Sequence, residues 1–115
     1  MTIEEKNMLL DQLSVCYNRA NYCKMLCEEK EKAEEAEKLE KRMKRLKLEI
    51  DSLLRELYKD WIGSANELKD KIDKSNMEID KHIQEIKRDI EIAQNVVKVL
   101  GFLDNAIKIA GGLVP

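Results

Sequence analysis

From residue 2 to residue 60 the chain contains neither glycine nor proline, so over about half its length nothing compels the backbone to leave a helix. Within that stretch Leu39, Met43, Leu46, Ile50, Leu53 and Leu57 alternate spacings of four and three. Such a stripe is the seam along which one helix packs on another. Leu9, Leu13, Cys16, Ala20, Cys23 and Cys27 form a second seam of the same regularity. The two seams are out of phase, because Cys27 and Met43 are 16 positions apart, two more than a whole number of heptads. The segment between them, EEKEKAEEAEK (28–38), offers only Ala33 and Ala36 to a core. Its Ala, Glu and Lys favour helix, which predicts a segment that stays helical and packs thinly.

The first stop signal is Asp60-Trp61-Ile62-Gly63-Ser64. Gly63 suits the positive φ that ends a helix, and Ser64 with Glu67 three residues on reads as a capping box for the next one. That helix carries Leu68, Ile72, Asn76, Ile79, Ile83, Ile86 and Ile90, continuing through Ala93, Val97 and Leu100. Asn76 is the one polar member, a placement that fixes register at some expense in stability. Folding back around Trp61, Gly63 and Ser64 sets Leu57 near Leu68, Leu53 near Ile72, Ile50 near Asn76, Leu46 near Ile79 and Met43 near Ile83. The reading is therefore all-α: a single domain over 1–115 built as a long antiparallel, coiled-coil-like helical hairpin. Helix 1 runs over about 2–60, the bend over 61–64 and helix 2 over about 64–110, with arms of roughly 85 and 70 Å.

The last stretch, VVKVLGFLDNAIKIAGGLV (96–114), is apolar on nearly all sides, with Lys98, Gly101, Asn105, Lys108 and Gly112 as one narrow polar stripe. In the hairpin it faces residues 13–27, which are similarly greasy. Leu13, Cys16, Cys23, Leu26, Val97, Leu100, Phe102, Leu103 and Ile107 then form an apolar open end. Left wet, such an end would aggregate, so the reading adds self-association into a dimeric or higher bundle, or a protein partner. Insertion of 96–114 into a bilayer surface is the less favoured outlet.

Charge and motif content narrow the function. Lys and Arg number 21 against 23 Asp and Glu, a formal net charge of -2, which gives no basic footprint for nucleic acid. KLEKRMKRLK (38–47) lies within the seam rather than before it, the wrong order for a basic reader helix followed by a zipper. Cys16, Cys23 and Cys27 share a helical face without a C-x-x-C pair, and the lone His82 lies far from them in the hairpin. They read as small core hydrophobes rather than metal ligands. Glu67, Glu78, Glu85 and Glu91 lack the paired Glu-x-x-His of a di-metal bundle. With no phosphate loop, nucleophile elbow or triad, no catalytic residue, cofactor or metal is expected. The amino terminus MTIEEKNMLL lacks the basic-then-apolar order of a secretory signal, which suggests a cytoplasmic protein.

Trp61-Ile62-Gly63, within LYKDWIGSANEL (57–68), places W-x-G at the bend between two helices in a chain of 115 residues. In this it resembles the WXG-type helical hairpins of type VII secretion systems. That resemblance implies a four-helix dimer exported folded by a route independent of a signal peptide, with the Trp61 region contributing to the secretion signal. The bend falls later here than in that family, and no Tyr-x-x-x-Asp/Glu follows the second helix. The leading expectation is thus a non-enzymatic, self-associating interaction module acting as adaptor, scaffold or inhibitor. A WXG-like secretion hairpin and a membrane-active module using 96–114 are the alternatives.

Overall fold

Each of the two expected arms is broken once, and each break is a helix stop of a defined kind. The computed structural model describes residues 1–115 as four helices with no strand: α1 (Ile3–Glu29), α2 (Ala33–Arg55), α3 (Ala65–Lys87) and α4 (Ile92–Gly111). α1 opens with a capping box, Thr2 Oγ1 accepting from the Glu5 amide at 3.1 Å while Glu5 Oε1 accepts from the Thr2 amide at 2.8 Å.

The first break lies inside the segment expected to remain helical. After the cap at Lys30, Glu31 takes φ 59°. The Lys32 amide then donates to Cys27 O at 2.7 Å and the Glu31 amide to Glu28 O at 3.1 Å. This is the Schellman pairing, with glutamate at the position where glycine is usual. α3 ends the same way: Asp89 takes φ 60°, Ile90 donates to Glu85 O and Asp89 to Ile86 O, both at 3.0 Å. Both stops escape a search for glycine because acidic residues occupy the left-handed position. The left-handed conformation costs a residue with a Cβ about 1–2 kcal/mol. Glu31→Gly is therefore expected to stabilise the fold by roughly 1 kcal/mol. A urea midpoint unchanged or lowered in that variant would refute the assignment of this stop.

The phase slip between the α1 and α2 seams now has its cause. A single straight rod would point the two stripes in different directions, whereas folding back at 30–32 turns both inward. The second arm hides its slip better. Its tail carries overlapping apolar stripes, and the structure buries Val96, Val99, Leu103, Ala106, Ile107 and Ala110. Ile90, expected on the seam, is instead exposed at 43%, and Val97, expected on the partner face, lies outside this core at 61% exposure. Asn95 secures this second turn: its Nδ2 donates to Ile90 O at 2.8 Å and Glu91 O at 3.3 Å, leaving Oδ1 against His82 Nδ1 at 2.7 Å. With both amide hydrogens spent on carbonyls, Oδ1 must accept, so Nδ1 carries the imidazole proton in this network.

The result is two αα-hairpins laid one upon the other, α1 beside α3 and α2 beside α4, in a body 43 × 22 × 17 Å. α2 and α3 occupy opposite corners and are not neighbours. The hairpin's expected partners for Met43, Leu46, Ile50 and Leu53 are thus corrected: the α2 seam meets α1 and α4. The inward residues themselves are as expected. Leu39, Met43, Leu46, Leu53, Ile72, Asn76, Ile79, Ile83 and Ile86 are buried, and Ile50, Leu57 and Leu68 are half-buried against them. Ion pairs cross the stack, Arg19–Asp80 at 2.9 Å between α1 and α3 and Arg42–Asp104 at 2.7 Å between α2 and α4. Lys30–Asp89 at 2.7 Å joins the two turns.

The connection from α2 to α3 crosses the base of the stack, and it is tied down from three sides. Trp61 is buried and its Nε1 donates to Glu56 O at 3.0 Å. Lys6 of α1, also buried, donates to Leu57 O at 2.7 Å and Lys59 O at 2.6 Å and lies 5.6 Å from the Trp61 ring centroid. The Ile62 amide donates to Leu113 O at 2.9 Å, pinning the carboxyl-terminal end. Gly63 takes φ +97°, where a Cβ would also approach Leu68 Cδ1 to 3.0 Å. Ser64 Oγ accepts from the Glu67 amide at 3.4 Å, opening α3.

Candidate functional site

Folding back removes the greasy open end. Leu13, Cys16, Cys23, Leu103 and Ile107, expected on a partner surface, are all in the chain's own core. Leu26, Leu100 and Phe102 are half-buried against it. No helix is long and apolar enough to cross a membrane.

The thiols follow their burial. Cys16, Cys23 and Cys27 are fully buried on the inward face of α1. Burial pushes the Cys16 thiol up to about 12. Cys23 is also raised, first by its hydrogen bond with the Cys27 sulfur and then by burial. A thiol held protonated is a poor nucleophile and a poor ligand, which applies to Cys16 and Cys23; Cys27 is shifted the other way, lowered by its hydrogen bond with Cys23. Asn76 is buried on the α1–α3 interface, its Nδ2 donating to Gln12 O at 3.2 Å while Oδ1 has no partner. An orphaned acceptor of that kind lowers stability by about 1–3 kcal/mol.

What the fold leaves open is a groove of about 660 Å³ on the outer side of the α3–α4 pair, close to the crossing connection. Leu68 from α3, Phe102 and Ile109 from α4, and Leu113 give it an apolar floor. Phe102 is held there by stacking on His82, ring centroids 6.0 Å apart and interplanar angle 26°. Lys71 and Lys74 line the α3 side, Asn105 and Lys108 the α4 side, and Gly63 and Gly112 narrow nothing at the lower end. No carboxylate lines it. Of the nearby acids, Asp73 pairs with Lys69, Glu78 with Lys81 and Asp104 with Arg42, while Glu67 and Asp70, exposed and outside the groove lining, stand one turn before Lys71 and Lys74.

The groove follows from local sequence. Helical spacing puts 68, 71 and 75 on one face of α3, and 102, 105, 109 and 112 on one face of α4. The tail's polar positions, Asn105, Lys108 and Gly112, were legible as a stripe in the sequence. Their meeting with Lys71 and Lys74 was not, because it requires the turn at 88–91. The lining offers three lysine ammoniums, the Asn105 amide, the Ser75 hydroxyl and hydrocarbon, the chemistry of recognition by charge and apolar contact. Comparison with known families, with curated proteins and with solved structures finds no match to this chain.

Proposed function

We propose that the chain is a non-enzymatic protein–protein interaction module, an adaptor, scaffold or inhibitor that engages its partner through the α3–α4 groove. The carrying observation is the combination in that groove of an apolar floor with lysines on both sides and no carboxylate. Apolar surface excludes water from a contact and charged rims orient it. A rigid helical stack suits such a role, since its recognition face is held by packed helices rather than by loops.

A photo-reactive benzoylphenylalanine placed at Asn105, on the groove, is compared in cells with the same residue placed at Leu48, exposed on α2. The expected result is a light-dependent adduct with another polypeptide from position 105 and not from 48. Equal adducts from both positions, or none from either, would contradict the reading.

A further inference from the structure

We propose that the occupant of the α3–α4 groove is an acidic amphipathic helix of a partner protein. This rests on the interaction-module reading and adds to it the chemistry of the partner.

Three observations select that occupant. The first is charge: in a chain of net charge -2, this groove gathers Lys71, Lys74 and Lys108 without a single lining carboxylate. None of these three lysines makes an ion pair, although Glu67 and Asp70 stand one helical turn before Lys71 and Lys74 on α3, so their charge is open to the acids of what docks. The second is spacing. Lys71 and Lys74 are three residues apart on α3, and Lys108 faces them from α4, so the charges lie along and across the groove. A docked helix with acids at i and i+3 or i+4 presents carboxylates one turn apart on the same side, matching Lys71 and Lys74, and a further acid on its other flank reaches Lys108. A fatty acid brings one carboxylate and cannot answer cations on both sides. A nucleic-acid backbone brings the charge but leaves the floor of Leu68, Phe102 and Ile109 without a matching apolar partner.

The third is shape. From Phe102 to Gly112 the α4 side runs about 15 Å at 1.5 Å per residue, close to three turns of helix. A helix laid there places apolar residues at i, i+3 or i+4 and i+7 onto the floor, the usual helix-in-groove contact. It would stack on the outer side of the α3–α4 hairpin as a further helical layer.

The test uses a fluorescein-labelled synthetic helix of about 18 residues, with leucines at i, i+3, i+4 and i+7 and glutamates flanking them. The same peptide with lysine in place of every glutamate, and oleate, serve as comparisons. Fluorescence polarisation reads affinity, and backbone amide shifts of Ser75, Phe102 and Asn105 read the location. The glutamate peptide is expected to bind and to move those amides, while the lysine peptide does neither. The Lys71→Gln/Lys74→Gln double variant, whose side chains are exposed and whose new amides repel no neighbouring acid, is expected to keep its melting temperature and lose about tenfold in affinity. Failure of the glutamate peptide to bind, binding indifferent to charge reversal, or shifts produced by oleate alone would overturn the proposal. Should the peptide fail while the Asn105 adduct still forms, the acidic helix is wrong and the interaction reading stands. Loss of the adduct as well removes both.

Discussion

Leu103→Asp is expected to abolish the folded state. Leu103 is fully buried in α4 among residues contributed by the rest of the stack. The substitution removes a large apolar side chain and puts a carboxylate where no cation waits. Leucine truncation in such a site lowers stability by about 2–5 kcal/mol, and an unpaired buried charge adds several more. Domains of this size hold only about 5–15 kcal/mol in all. The helical circular dichroism signal should fall to that of an unfolded chain at 25 °C. Val97→Asp, one turn and a half away but exposed, should leave it unchanged. A Leu103→Asp protein that melts like the parent would mean that α4 does not face inward as described.

Lys6→Met is the second large effect. The ammonium of Lys6 bridges two carbonyls of the crossing connection, Leu57 O and Lys59 O, beneath the Trp61 ring. Methionine keeps the length and hydrocarbon of the side chain but donates nothing. Both carbonyls then lose a charge-assisted hydrogen bond, each worth about 1.5–3 kcal/mol. A loss of roughly 2–4 kcal/mol is expected, read from urea unfolding, since water can reach part of the connection once it loosens. Trp61 fluorescence should shift to longer wavelength before the main transition. An unaltered midpoint would show that the connection is held without Lys6.

Which residues point inward was readable from spacing alone, because heptad stripes report which side of a helix is apolar whatever they pack against. Which stripe meets which was not. Ile79 is buried as its spacing requires, yet Leu46 is not across from it, since an apolar stripe carries no label for its partner. The two stops were obscured for a local reason: Glu31 and Asp89 adopt the left-handed backbone that glycine adopts more readily. The one trace in the sequence was the two-residue slip between Cys27 and Met43. The slip is legible in the sequence, but a thinly packed continuous helix accommodates it as well as a turn does. In the tail, a face apolar nearly all round fits a stripe through Val97 and Leu100 as well as the one through Val96 and Val99 that is buried. Lys6 also left a signal, standing three residues before Leu9 in phase with the α1 seam, where a lysine is out of place unless something accepts its hydrogens. The groove depended on the second turn and could not precede it.

The account turns on the first arm doubling back at 30–32. Nitroxide labels at Asn7 and Arg55, both exposed and on adjoining helices, report this through their dipolar coupling. The structure predicts one narrow distribution at short distance, because Lys6, next to Asn7, hydrogen-bonds the Leu57 carbonyl two residues past Arg55. An uninterrupted helix over the same residues would place the labels about 70 Å apart, and a distribution centred there would contradict the fold and everything built on its groove.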